Sequence, residues 1–243
     1  MNTTAIGSMD AVEIKVTIRP DQELLAERAM SVSEDTADNR LVYFYDTSDL
    51  DLFKAGILLR ARLIKRADDD STVKFRPVEA ASISDDWRRS KGFKLEADWV
   101  GDQVVCSASL TALQQRGEIA DVAEGRRTIG RLFSEEQECF LREFCNRPVD
   151  FGELRIIGPI HVLRWKPKHE GFPHELTLEE WRLPNGEDLV EVSIKAAPNE
   201  AYEARQDFDT HLRELGLDLE GAQQTKTRTA LEYFVTILKE ARS

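Results

Sequence analysis

The sequence predicts an α+β fold, an antiparallel sheet joined to helices, and three observations predict it. First, segment after segment alternates apolar and polar residues: "VEIKVTI" sets Val12, Ile14, Val16 and Ile18 against Glu13, Lys15 and Thr17. A period of two marks a strand with one buried face. Second, such segments follow one another through turn residues, as in "RLPNGED", where Asn185-Gly186 supplies a tight hairpin turn. Third, the chain closes with two amphipathic stretches of helical spacing.

In order, the opening strand is followed by "PDQELLAERAM", a short helix with Asp21 near its start and Leu24, Leu25 and Ala29 on one face. A β-run from Leu41 to Tyr45 leads through a turn-rich segment and a stub around Leu50 to Ala55 into a strand from Ile57 to Ile64. The charged "ADDDS" reads as a turn into "TVKFRPV", its hairpin partner, and "GFKLEADWV" forms the next strand. A helical insert is expected at about 109–150, where spacing turns helical and β-propensity is poor. Strands return with "ELRIIGPIHVLRWKPK", "HELTLEEWRL" and "EDLVEVSIKA", and helices fill about 199–243. With no internal repeat, low-complexity tract or linker, residues 1–243 read as one domain.

Composition bounds the partners. A 41% hydrophobic content supports a substantial core, and 45 Asp and Glu against 33 Lys and Arg give a net charge of -12. Such a balance argues against broad binding to DNA or to anionic membrane. No apolar run approaches the roughly 20 residues of a membrane span, and the first residues lack a signal-peptide pattern, so a cytoplasmic protein is expected. Cys106, Cys139 and Cys145 form no CxxC pair, and the four histidines sit at no metal-ligand spacing. Trp87, Trp99, Trp165 and Trp181 read as packing residues.

The charged faces carry more information. Alternation puts Arg60 with Arg62, Lys74 with Arg76, and Arg164 with Lys166 on single strand faces; elsewhere it aligns Lys94, Glu96 and Asp98, then Glu175, Thr177 and Glu179, then Glu191, Ser193 and Lys195. A solvated outer face would intersperse signs along each strand. Purely cationic strands rich in arginine suit phosphate oxygens, which the guanidinium fork binds in pairs.

These residues carry a resemblance. "VYFYDTSDLDLFKAGILLRARL", preceded by "VEIKV" and followed in order by "TVKFRP", "LRWK", the acidic strand around Glu179, the Asn-Gly turn and "VEVSIK", resembles the CYTH, or triphosphate tunnel metalloenzyme, superfamily over roughly residues 11–230. The resemblance implies an eight-stranded antiparallel β-barrel, a triphosphate tunnel flanked by helices, acting on a small-molecule triphosphate or polyphosphate with Mg2+ or Mn2+. It assigns Lys15, Arg60, Arg62, Lys74, Arg76, Arg164 and Lys166 to the phosphates, with Lys226 as a looser match. It gives catalytic and metal-binding roles to Glu13, Glu179 and Glu191, with Glu96 and Asp98 as additional acidic wall.

The chain also departs from the family pattern: Ala11 stands where the first strand has its first Glu, and the late acidic strand reads Glu191, Ser193, Lys195. Three readings stay open. The leading one is a metal-dependent triphosphatase; the others are a polyphosphate- or nucleotide-binding protein without turnover, and a class IV-type adenylate cyclase.

Overall fold

The computed structural model describes residues 7–145, 148–219 and 223–240. In chain order its elements are β1 (Ala11–Thr17), α1 (Glu23–Ala29), β2 (Asp38–Asp46), α2 (Asp51–Lys54), β3 (Ile57–Ile64), β4 (Asp70–Phe75), α3 (Asp85–Arg89), β5 (Phe93–Val100), β6 (Gln103–Leu113), α4 (Glu118–Ala123), α5 (Glu135–Phe144), β7 (Arg155–Trp165), β8 (Leu176–Arg182), β9 (Asp188–Ala196), α6 (Ala201–Glu214) and α7 (Lys226–Glu240). Hydrogen bonding orders the strands β1-β5-β6-β4-β3-β2-β7-β8-β9 and returns to β1, closing the sheet as a barrel. Residues 146–147 of the expected helical insert, and 220–222 and 241–243 of the expected C-terminal helices, lie outside the described residues. Among the described residues no helix is long and apolar enough to cross a membrane.

Two features correct the expected eight-stranded antiparallel barrel. The ninth strand is β6, whose Ser107, Ala108, Ser109 and Ala112 lack the bulky branched residues that advertise a strand. It is reached from β5 by the two-residue loop Gly101-Asp102, with Gly101 at φ 55°, a left-handed value that glycine adopts without strain. Ser109–Leu113 therefore extend a strand, and the helical segment begins after them. The second feature is polarity. β1 runs antiparallel to β9 but parallel to β5, Glu13 pairing with Lys195 on one side and Asp98 on the other.

The chain's contacts divide it into two compact units, which are described separately. The first comprises the described residues within 1–39, 95–106 and 161–229. Here α6 packs on β1 and β9 and buries Ala201, Ala204, Phe208 and Leu212. The β1 row Val12, Ile14 and Val16 is buried while Glu13, Lys15 and Thr17 are only partly so, as period two requires. The β7–β8 connection is tied down by His169, whose Nδ1 lies 2.8 Å from His211 Nε2 on α6, and by Phe172 stacked 4.2 Å from the His211 ring.

The second unit comprises the described residues within 40–94, 107–160 and 230–243. Its α5 begins with a capping box in which Ser134 Oγ accepts from Gln137 N and the Gln137 side chain accepts from Ser134 N. Gln137 is fully buried because that amide also serves the sheet, donating to the carbonyls of Ser71 (3.1 Å) and Leu110 (3.0 Å) and accepting from Ser71 Oγ (3.0 Å). Phe140, on the same helix, packs edge-on against Phe75 of β4 and against Trp87 and Phe93. Gly56 is required before β3, since a Cβ there would stand 2.1 Å from the Arg76 carbonyl oxygen.

Two predictions follow from this packing. Gln137→Ala strips partners from two buried carbonyls and removes half of the capping box, so unfolding in urea should show a loss of about 3 kcal/mol; a loss under about 1 kcal/mol would mean that water replaces the amide. In the first unit, burial together with Asp188, Glu180 and Glu27 raises the Glu23 carboxyl from 4.5 to about 7. An acid with a raised folded value favours the folded state at low pH, and that contribution is lost as pH rises through about 7. Glu23→Gln should therefore lose less thermal stability than the wild type between pH 5.5 and pH 8; equal losses would remove Glu23 as the source.

Candidate functional site

Cross-strand register decides which charged side chains meet. In the first unit Thr17, Glu191 and Glu179 stand opposite one another across β1, β9 and β8, and Arg164 of β7 faces Glu179. One step along come Lys15, Ser193 and Thr177, and one step further Glu13 beside Lys195. All are on the polar side of their strands.

Each cation in these rows is held by acid. Lys15 Nζ lies 2.7 Å from Asp98 Oδ1 and 3.1 Å from Glu13 Oε2. Burial opposes its charge, but Asp98, Glu13 and Glu191 outweigh burial and hold the ammonium well above the ordinary lysine value. Lys195 bonds Glu96 at 2.7 Å, and Arg164 Nε stands 3.3 Å from Glu179 Oε1. Lys226, the first residue of α7, bonds both Glu179 and, at 2.8 Å, Glu191. Its Nζ is also 5.3 Å from the ring centre of Trp181, which thus touches the charged cluster rather than packing alone. Lys166 lies apart in an exposed pair with Glu175.

In the second unit the row is more cationic. Arg60 stands opposite Thr72, and Arg62 opposite Asp70, whose carboxylate binds it through two bonds of 3.0 and 2.6 Å. Arg60 Nη2 reaches Thr72 Oγ1 at 3.4 Å, and that hydroxyl is 3.0 Å from Thr111 Oγ1. Lys74 faces Ser109. On β2, Val42 and Phe44 are the partners of Arg62 and Arg60, so a buried apolar flank borders the guanidinium row. Arg76, beyond the end of β4, lies over the Phe53 ring at 6.0 Å and lines a cavity of about 350 Å³ with Gly56, Pro77 and Glu79.

The trio Glu13, Glu179 and Glu191, expected to hold Mg2+ or Mn2+, does not converge. Glu179 and Glu191 face each other, but Glu13 lies four residues along β1 from the position opposite Glu191, about 13 Å of strand. Among the described residues no group of three or more His, Cys, Asp or Glu could hold a metal ion. The facing pair already binds the Lys226 ammonium, so this donor set as arranged does not fit a divalent cation.

Sequence reasoning missed Asp70, which it placed in a turn; the alternation Asp70, Thr72, Lys74 was the signal that could have found it. Lys226 was only a loose match and is the most heavily engaged cation of its row.

No family model and no curated protein matches the sequence. Solved structures do match. A Bacillus halodurans protein, described as a candidate adenylate cyclase, superposes with a TM-score of 0.61 at 15% identity over 90% of this chain and 96% of that one. HpAC1 from Hippeastrum, a candidate adenylyl cyclase described as having a dominant triphosphatase activity, gives 0.64 at 17% identity over 90% and 94%. The fold is shared. At such identities the likeness is one of fold, and it accords with the CYTH resemblance of the sequence motifs.

The Arg62–Asp70 pair gives a test of the second unit's row. Asp70→Asn removes the charge that holds the guanidinium, at a cost of about 1–3 kcal/mol. Inorganic triphosphate should restore part of the lost melting temperature, and should restore none in the Arg62→Ala/Asp70→Asn protein. Equal restoration in both would detach Arg62 from anion binding.

Proposed function

We propose that this protein is a member of the CYTH superfamily that binds a triphosphate-bearing small molecule and hydrolyses one of its phosphoanhydride bonds. The observation that carries the reading is the face formed by β3 and β4, where Arg60, Arg62 and Lys74 stand with Asp70 as the acid among them. Arg60, Arg62 and Lys74 on adjacent strands, bordered by Val42 and Phe44, make a face suited to a polyanion. The low-dielectric flank strengthens the attraction despite the acidic net charge.

In this reading Arg60, Arg62 and Lys74 neutralise phosphate oxygens and the charge that develops on the leaving phosphate, the dominant requirement of phosphoryl transfer. The resemblance gives Lys15, Arg164 and Lys226 the same role and offers their carboxylate partners for orienting water. Glu179 and Glu191 hold Lys226, so in this reading the chain's own cations carry the charge neutralisation. The description of HpAC1 favours hydrolysis over cyclisation. Binding without turnover is the second reading, motivated by Ala11, Ser193 and Lys195 at positions where the family pattern has acids.

The experiment is phosphate release from inorganic triphosphate, thiamine triphosphate and ATP, each with no metal, Mg2+ or Mn2+, together with assay for cyclic AMP and calorimetric binding of triphosphate. Turnover should occur with at least one substrate and fall at least 100-fold in Arg60→Ala/Arg62→Ala, with Lys15→Ala reporting whether the first unit's cations serve the same ligand. Binding without release selects the second reading; absence of both leaves the fold without this activity.

A further inference from the structure

The acid pair Glu179 and Glu191 is positioned by register, on neighbouring strands and directly opposite. Two carboxylates at that spacing repel and need a cation between them. The chain itself delivers one. Ahead of α7, Gln223 brackets the Thr17 backbone, its Oε1 accepting from Thr17 N at 2.8 Å and its Nε2 donating to Thr17 O at 3.3 Å. The Thr17 hydroxyl donates to the Gln224 carbonyl at 2.7 Å. Thr17 is the register partner of Glu191, so this clasp sets the first residue of α7 beside the acids.

Lys226 then reaches both carboxylates with its side chain 11% exposed, while Glu191 is 4% exposed. Arg164 lies on the other oxygen of Glu179. Two cations are thus seated on the two acids, and Lys15 adds a further positive charge that acts on Glu191. An added divalent ion would meet these charges in a half-buried row, a cost that repulsion and desolvation make prohibitive unless a cation departs.

We propose that Lys226 is the resident cation of the Glu179–Glu191 pair, and that a divalent ion enters this pair only by displacing Lys226 from it. Metal and the first turn of α7 therefore compete for the same two carboxylates, and the metal affinity of the pair reports how firmly the Gln223–Thr17 clasp holds. This inference is independent of which substrate the protein takes and of whether it turns anything over.

Mn2+ alone is the probe, its binding followed by electron paramagnetic resonance and calorimetry, with melting temperature measured on the same samples. Lys226→Met should bind Mn2+ at least tenfold more tightly than wild type, and Lys226→Met/Glu191→Gln should lose that gain. Lys226→Arg, which keeps the charge, should behave as wild type. The melting temperature of Lys226→Met should fall without metal and rise with Mn2+ by more than that of wild type; if the variant is unfolded, Mn2+ should refold it. Equal Mn2+ affinity in wild type and Lys226→Met, a gain that survives Glu191→Gln, or an unfolded variant that Mn2+ does not rescue would each overturn the proposal.

Discussion

A half-buried charge on a strand must find an opposite charge within a few ångströms, and that constraint organises the polar face of this sheet. Desolvation costs several kcal/mol per isolated ion, far more than any one contact returns. Lys15 has Asp98 and Glu13, Lys195 has Glu96, Arg62 has Asp70, and Lys226 has Glu179 and Glu191. These partners are brought together by register. A shift of one residue in β1 would move Glu13 and Lys15 to the apolar face and Val12 and Ile14 to the charged one, so pairing and hydrophobic burial select the same alignment.

The opposite faces of the strands depend on the helices. In the second unit Gln137 ties the α5 cap to two sheet carbonyls, which lets Phe140 meet Phe75 at a fixed height. In the first unit α6 covers β1 and β9 with Phe208 and Leu212. Ionic geometry on the polar side can be held within tenths of an ångström only if strands do not slide, and close packing on the apolar side supplies that rigidity.

Much of this was legible where one strand carries its own evidence. Alternation in "VEIKVTI", "ILLRARLI" and "LTLEEW" marked the faces, and the arginines of β3 marked the anion-binding candidate. Information shared between segments was less visible. β6 was hidden because its inward positions are small and polar, Ser107 and Ser109, which period-two reasoning on hydrophobicity does not detect. Asp70 sits in a run of acids that reads as a solvated turn, and only pairing with Arg62 across the hairpin turns it inward. The parallel pairing of β1 with β5 follows from the closure of the sheet, which no local pattern encodes.

The departures from the family pattern become connected in this light. Where the resemblance leads one to look for acids at 193 and 195, the chain has Ser193, which faces Lys15 and Thr177, and Lys195, which bonds Glu96. With those acids absent, the remaining carboxylates are matched by the protein's own cations: Asp98 and Glu13 by Lys15, Glu96 by Lys195, and Glu179 and Glu191 by Lys226 and Arg164. Five carboxylates thus share four cations of the chain, and each carboxylate has a cation beside it. Ser193, Lys195 and the seating of Lys226 thus act in one direction, supplying charge compensation from within the chain. An incoming polyanion would then compete with carboxylates for each of these cations, and its affinity would depend on how many pairs it can open.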